Sequence, residues 1–153
     1  MAKTLKKICV VFWIILLCSC AGTKVSQFKR GPLTHPVNTI GIRSFESVLG
    51  GALGSELRAR GFKVVKTEDE RNTSKIDAYL SAQGVMGYDT SPQNVTVTLK
   101  SAKTGETISG VNWENARGGA PASPADRIMR KSAVEAAKEI VELLMKDIPV
   151  EAK

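Results

Sequence analysis

The stretch VTVTLKSAKTGETISG, residues 95–110, carries the clearest structural pattern of this 153-residue chain. Its first half alternates valine and leucine with threonine and lysine, a period of two that is typical of a strand with one buried face. Lys103 to Glu106 then supplies a turn that contains Gly105, and a second strand-like run continues to Trp113. The stretch therefore predicts an antiparallel hairpin within a sheet.

The sequence on either side of the turn refines this sheet. Residues 77–88 place apolar side chains at alternating positions and predict a third strand before the two strands of the hairpin. In the last strand Ile108 has the opposite parity to Val111 and Trp113, which predicts a bulge near Gly110.

Further toward the N-terminus, a strand, a helix and a second strand follow one another. Residues 37–45 and 62–67 are rich in strand-forming residues, and the segment between them repeats leucine every four positions. Ser47 is suited to the N-cap of that helix and Gly61 to its C-terminal end. Because such crossovers are right-handed, we expect the two strands to lie parallel.

The C-terminal region predicts a second helix. Ser123-Pro124-Ala125-Asp126 resembles a capping sequence with proline at the first helical position. The apolar stripe that follows consists of Met129, Ala133, Ala136, Ala137, Ile140 and Leu144. We expect this helix to run from Pro124 to about Asp147.

These elements predict the α/β (α+β) class. The sheet should be mixed, with about five strands, of which the first two are parallel through a helix and the remainder antiparallel. A long C-terminal helix should pack on it. Two helices leave open whether one face of the sheet is uncovered, and an uncovered face would be a candidate binding surface.

The first twenty residues have the pattern of an export signal. Lys3, Lys6 and Lys7 precede an apolar run at residues 8–17. A membrane-spanning helix needs about twenty apolar residues, so this run is about half the required length. The segment is therefore predicted to be a signal peptide rather than a membrane anchor.

The end of this run, Leu17-Cys18-Ser19-Cys20, resembles the bacterial lipobox. The resemblance implies cleavage between Ser19 and Cys20, and covalent diacylglycerol and N-acyl lipid on Cys20. Two or three acyl chains on one residue make membrane attachment effectively permanent. Cys18 departs from the residues that the lipobox prefers, and an ordinary signal peptide is the competing interpretation. Ala21 favours the outer membrane, with the domain facing the periplasm.

The predicted organisation has four parts. Residues 1–19 form the signal peptide, 20–36 a lipidated tether rich in polar residues and proline, 37–148 a single α/β domain, and 149–153 a tail. The signal holds three of the 22 basic residues and none of the 15 acidic ones, so the mature chain would carry a net charge of +4.

Composition argues against several classes of function. No free thiol would remain after processing, and His35 is the single histidine, so catalysis and metal binding lose their usual side chains. The glycines at 50, 51 and 54 match neither nucleotide-binding loop pattern. We therefore expect no enzyme, no cofactor and no metal, and the periplasmic location disfavours nucleic acid.

The order of elements, the GFKVV motif at residues 61–65, the hairpin and the alanine-rich last helix together resemble a known family. It is the domain shared by the curli-secretion lipoprotein CsgG, the N-terminal domain of TolB and the lipoprotein activators of penicillin-binding proteins. The resemblance covers most of residues 37–147. It implies an accessory role in the cell envelope, whereas the pore hairpins of the curli channel have no counterpart here.

The favoured function is a lipid-anchored periplasmic binding protein that recruits or supports an envelope assembly or secretion partner without catalysis. Tyr79, Tyr88 and Trp113 are its candidate contact residues, with core packing as the competing interpretation for each. The alternative is a lipopolysaccharide-assembly lipoprotein that binds lipid phosphates through basic side chains. The candidates for that surface are Lys100, Lys103, Arg117, Arg127, Arg130 and Lys131.

Overall fold

The computed structural model describes residues 23–31, 36–43, 47–67, 75–86, 91–115, 130–146 and 148. Within these ranges it has six strands and two helices. They are β1 Lys24–Arg30, β2 Thr39–Ile42, α1 Val48–Ala59, β3 Lys63–Lys66, β4 Ala78–Met86, β5 Pro92–Ser101, β6 Thr107–Glu114 and α2 Ala133–Leu144. The predicted fold class is confirmed.

The six strands form one mixed sheet in the order β1-β6-β5-β4-β2-β3. β2 and β3 are parallel as predicted. β4 also pairs with β2 in parallel, so the prediction that all the remaining strands are antiparallel is wrong for β4. Asp77 fixes this additional pairing, since its carboxylate accepts the backbone N–H groups of Asn38 at 3.0 Å and Thr39 at 2.8 Å. The remaining pairs are antiparallel.

α1 has the boundaries that its capping residues predict. The N–H of Gly50 donates to Ser47 Oγ at 2.9 Å, and Gly61 has a φ of 93°, a backbone conformation that favours glycine. Leu49, Leu53 and Leu57 are all buried. The helix packs on α2 as well as on β3, so its apolar face is shared between a helix and the sheet.

α2 begins later than predicted. Residues 130–132 are not helical, and Ser132 is the N-cap of a capping box with Glu135, whose carboxylate accepts the Ser132 N–H at 2.8 Å. The predicted cap at residues 123–126 lies outside the described residues. The reciprocal bonds of Ser132 and Glu135 fix the start of α2 at Ala133.

β1 lies inside the segment that was predicted to be a tether. The strand pairs with β6 from Lys24 to Arg30, so the prediction for 20–36 is corrected for residues 24–30. The sequence pattern does not predict this strand, because Val25 is the one aliphatic residue among the seven residues of β1. Pairing with β6, rather than local pattern, holds this segment in the sheet.

The hairpin of β5 and β6 forms as predicted, with Gly105 at a φ of 72° in its turn. The bulge lies at Ile108, two residues before the predicted position, since Lys100 pairs with Thr107 and Leu99 with Ser109. The extra residue lets both Ile108 and Val111 be buried despite their opposite parity.

Both helices pack on one face of the sheet and enclose a single core. The sheet contributes its fully buried side chains from the central strands, namely Ile40, Ile42, Ala78, Leu80, Val97, Leu99, Val111 and Trp113. We call this surface the covered face. Burial of apolar area is the dominant favourable contribution to folding, and in this sheet it is concentrated on the covered face.

Candidate functional site

The opposite surface of the sheet, which we call the open face, has no described helix packed on it. Strand register arranges its side chains in four rows across the strands. The first row consists of Lys24, Glu114, Asn94 and Val85, and the second of Ser26, Asn112, Thr96 and Gln83. The third row consists of Gly110 with Phe28 above it, Thr98 and Ser81. The fourth row consists of Lys100, Tyr79, Gly41 and Val65.

The two middle rows present uncharged hydrogen-bonding groups. Thr96 Oγ1 donates to Asn112 Oδ1 at 2.9 Å, and the hydroxyls of Ser81 and Thr98 lie 2.7 Å apart. Thr96, Asn112, Ser26 and Gln83 are exposed. The rows therefore display hydroxyl and amide groups on a rigid backbone, where a polar partner can form hydrogen bonds.

Two aromatic side chains also lie on the open face, Phe28 at the β1 side of the third row and Tyr79 in the fourth row. The Phe28 ring covers Gly110, because a Cβ added there would lie 2.3 Å from Phe28 Cζ, and Phe28 is 49% exposed. Tyr79 lies in the fourth row, with the Arg43 guanidinium carbon 5.8 Å from its ring centroid. Aromatic surface next to polar rows is common where proteins bind partners.

The first two rows line a shallow depression of about 470 Å³. Lys24, Ser26, Asn94, Thr96, Asn112 and Glu114 contribute to its walls. Small-molecule sites of this volume are usually deep and largely apolar. A depression on a sheet that is open to solvent instead favours docking of an extended or flat partner.

A polar cluster ties the start of β1 to α2 on the covered side. Glu139 accepts hydrogen bonds from the indole Nε1 of Trp113 at 2.9 Å and from the Thr23 hydroxyl at 3.3 Å, and it forms an ion pair with Lys131. Lys131 Nζ also donates to Thr23 Oγ1 at 3.0 Å. The cluster satisfies the buried Trp113 N–H and anchors Thr23, the residue before β1.

Two carboxyl groups of α2 have perturbed pKa values. Desolvation raises the pKa of Glu139, but the hydrogen bonds from Lys131 and Trp113 and the charge of Lys131 outweigh it, so the net pKa is lowered. The pKa of Glu135 is lowered chiefly by the hydrogen bond from the Ser132 backbone. Both carboxylates therefore stabilise α2 in their ionised form.

Asn115 joins the end of β6 to the start of α2. Its side chain is 5% exposed, donating to the carbonyls of Pro92 at 3.0 Å and Lys131 at 3.3 Å, while its oxygen accepts the Lys131 N–H at 3.3 Å. Its own N–H donates to the Gln93 carbonyl at 2.7 Å. The start of α2 is thereby fixed beside the first row.

The three aromatic candidates have different positions. Tyr79 is half-buried on the open face and stays a candidate contact residue. Trp113 is 1% exposed in the covered core, so the prediction that it contacts a partner is corrected to core packing. Tyr88 lies outside the described residues. Ser19 and Cys20, the predicted cleavage and lipidation residues, also lie outside them.

The basic candidates do not form one surface within the described residues. Lys100 and Lys103 are exposed at the β5–β6 turn, whereas Arg130 and Lys131 precede α2 beside the other end of the strands. Lys131 is engaged with Glu139. Arg117 and Arg127 lie outside the described residues.

Two sets of residues in this region were not predicted from the sequence. The alternating Thr96 and Thr98 were recognised as the outer positions of a strand, but their alignment with Asn112 and Ser81 depends on strand order. Glu139 follows Glu135 by one helical turn and carries no local signal of its role. Its partners Thr23 and Trp113 are distant along the chain.

No group of three or more histidine, cysteine, aspartate or glutamate side chains in the described ranges is placed to hold a metal ion. Nor does the described part contain a helix that is both long enough and apolar enough to cross a membrane.

Comparison with solved structures finds PelC dodecamers from Paraburkholderia phytofirmans. A variant of that protein has 17% sequence identity and a TM-score of 0.50, covering 80% of this chain and 98% of that chain. A second PelC dodecamer has 16% identity and a TM-score of 0.49 with the same coverage. No family model matches the chain, and no curated protein matches it. At this identity the first likeness shows a shared fold alone.

Proposed function

We propose that the protein is a lipid-anchored accessory protein of the bacterial cell envelope that binds a protein partner without catalysis. The observation that carries the proposal is the open face. Its exposed hydroxyl and amide rows lie on a six-stranded sheet whose other surface forms the core. Side chains that contribute little to packing are available for recognition.

The position of the rows supports binding through hydrogen bonds. Thr96 and Asn112 lie near the middle of the face, on neighbouring strands, with Phe28 on β1 and Tyr79 on β4. A rigid strand framework limits the entropy lost when a partner binds. The partner best suited to this surface is an envelope protein with a polar, flat or extended segment.

The proposed lipid anchor would raise the local concentration of the domain near its partner and would not determine which partner is bound. Lipid on Cys20 of the processed chain, in the outer membrane and facing the periplasm, would confine the open face to one membrane surface. Confinement raises the effective concentration toward partners in the same membrane. The lipobox resemblance of residues 17–20 supports this part of the proposal.

The lipopolysaccharide alternative has less support. Of the basic candidates, Lys100 lies six residues along β5 from Asn94, roughly 20 Å at the usual rise per strand residue, and Lys103 lies further on in the turn. Arg130 and Lys131 lie beside the other end. A phosphate bound by Lys100 and Lys103 would therefore be out of reach of Arg130 and Lys131.

The open face is tested by affinity capture of the tagged full-length protein after in-cell crosslinking. The test variant combines Thr96→Lys with Asn112→Lys, which places two long charged side chains on the middle row. The control combines Lys138→Glu with Glu142→Lys on the exposed side of α2. We expect one envelope protein to be captured by the wild type and the control, and lost from the open-face variant.

Retention of the same partner by the open-face variant would contradict the proposal, provided that its melting temperature matches the wild type. Capture of further copies of this chain would make a second copy the partner, as in the dodecameric PelC structures. Capture of lipopolysaccharide alone, abolished by Lys100→Glu with Lys103→Glu, would favour the alternative.

Lipidation is tested separately by metabolic labelling with an alkyne fatty acid. We expect the label on the wild type and on Cys18→Ala, and its loss from Cys20→Ala, because only Cys20 fits the lipidated position of the lipobox. Label on the Cys20→Ala variant would contradict the assignment.

A further inference from the structure

We propose that the end of the sheet where β1 begins lies against the membrane, with Val85, Met86 and Val134 in contact with lipid. The inference rests on the proposed lipidation of Cys20 and adds an orientation of the domain. We call the end of the sheet where β1 begins the membrane-proximal end, and the partner proposed for it is the membrane interface.

Only a short length of chain separates the proposed lipid attachment residue from the fold. Cys20 precedes Thr23 by three residues, and a fully extended chain spans at most about 3.6 Å per residue, so the separation is at most about 11 Å. Thr23 is held by Glu139 and Lys131, and β1 starts at Lys24. A seventeen-residue tether would allow any orientation, whereas this short connection holds one end of the sheet near the bilayer.

Four strands and the start of α2 meet at that end of the sheet. Lys24 pairs with Glu114, Glu114 with Asn94, and Asn94 with Val85, so β1, β6, β5 and β4 all reach the same end of the sheet. Met86 follows Val85 opposite Pro92. The start of α2 joins them through the bonds of Asn115.

Exposed apolar side chains are concentrated at the same end. Five large hydrophobic side chains are markedly exposed in the described ranges, and three of them lie at the membrane-proximal end: Val85 at 57%, Met86 at 39% and Val134 at 70%. They come from β4 and from the first turn of α2, two elements distant in sequence. Apolar side chains gathered around a lipid attachment point fit the boundary between headgroups and acyl chains.

The charged side chains of this end have both signs. Lys24, Glu114 and Glu135 are exposed there, and Lys131 is paired with Glu139. Among the described residues of this end, Lys24, Arg130 and Lys131 are matched by Glu114, Glu135 and Glu139, so the contact should depend on apolar insertion and the anchor. We therefore expect little salt dependence once the protein is on the membrane.

The test uses the lipidated full chain, purified from membranes and reconstituted in vesicles of phosphatidylethanolamine and phosphatidylglycerol. The predicted absence of any other cysteine in the processed chain permits an environment-sensitive fluorophore to be attached at Val85→Cys or Val134→Cys. Lys103→Cys and Glu106→Cys at the opposite, exposed turn serve as controls. Lipids with a headgroup nitroxide report contact by quenching.

We expect quenching about threefold or more stronger at positions 85 and 134 than at 103 and 106, unchanged by high salt. Equal quenching at all four positions, or stronger quenching at the turn, would overturn the orientation while leaving lipidation intact. Mass spectrometry of the same sample determines whether Cys20 carries lipid. An unlipidated chain that fails to bind vesicles would overturn both the orientation and the anchor.

Discussion

The two faces of the sheet are built from the same strands and differ in almost every property. On β4, Ala78 and Leu80 face the helices with no exposed surface, while the alternating Tyr79, Ser81 and Gln83 face outward. A covered side chain must fill a closely packed volume, whereas an outward side chain has no such constraint. The comparison indicates that the covered face determines stability and leaves the open face available for binding.

The largest expected effect comes from Leu80→Ala, which removes a fully buried side chain from a central strand. We expect it to destabilise the domain by about 2–5 kcal/mol, because lost burial and the resulting cavity act together. Gln83→Ala on the open face of the same strand should change stability by no more than about 0.5 kcal/mol. Denaturant unfolding of both variants measures the difference, and similar losses would contradict the division between the faces.

A smaller effect separates two glycines on opposite sides of the sheet. A Cβ at Gly84 would lie 2.1 Å from the Asn94 carbonyl oxygen and 2.8 Å from Val95 Cα, so Gly84→Ala must displace backbone and should cost about 1–3 kcal/mol. At Gly110 the obstacle is the end of the half-exposed Phe28 ring, which can turn aside.

Gly110→Ala should therefore stay within about 1 kcal/mol of the wild type, since alanine also lowers the backbone entropy of the unfolded chain. Melting temperatures of the two variants rank them. A larger loss at Gly110 would mean that the position of Phe28 is fixed by more than its contact with the glycine.

A modest effect is expected from the polar cluster on the covered side. Glu139→Ala leaves the buried Trp113 N–H without its acceptor, and we expect a loss of about 1–2 kcal/mol at neutral pH, moderated by solvent because the carboxylate is partly exposed. Glu142→Ala, on the exposed side of the same helix, is the matched control and should be nearly neutral.

The pH dependence of this contribution has a definite sign. The pKa of Glu139 is lowered in the folded protein, so its stabilisation is present above the unfolded-state value of about 4.5 and is lost as the pH falls through the folded-state pKa. The difference in unfolding free energy between wild type and Glu139→Ala should shrink below about pH 4.5. A difference that grows in acid would contradict the assigned role.

Local sequence signals predicted the elements whose stabilising contacts are also local. The alternation of residues 95–99 predicted β5, Gly105 predicted the turn, and Ser47 with Gly61 predicted the limits of α1. In each case the residues that carry the signal also form the contact or adopt the backbone conformation. Such elements are specified within a few positions of the chain.

The candidate site could be predicted only in part. The sequence left open whether one face of the sheet is uncovered, and the aromatic candidates included both Tyr79, which lies on the open face, and Trp113, which is buried in the core. Nothing local distinguishes the face of Trp113 from that of Tyr79. The helices decide it, because they cover the side of the sheet that carries Trp113.

The sequence by itself determined the class of fold, the hairpin and the caps of α1, because period and capping depend on neighbouring residues. Only the tertiary structure decided that residues 24–30 form an edge strand, that Asp77 joins β4 to β2, and that both helices lie on one face. Those features depend on partners far apart in sequence, as Lys24 and Glu114 are. Long-range pairing is selected by the free energy of the whole fold, and no short window of sequence contains it.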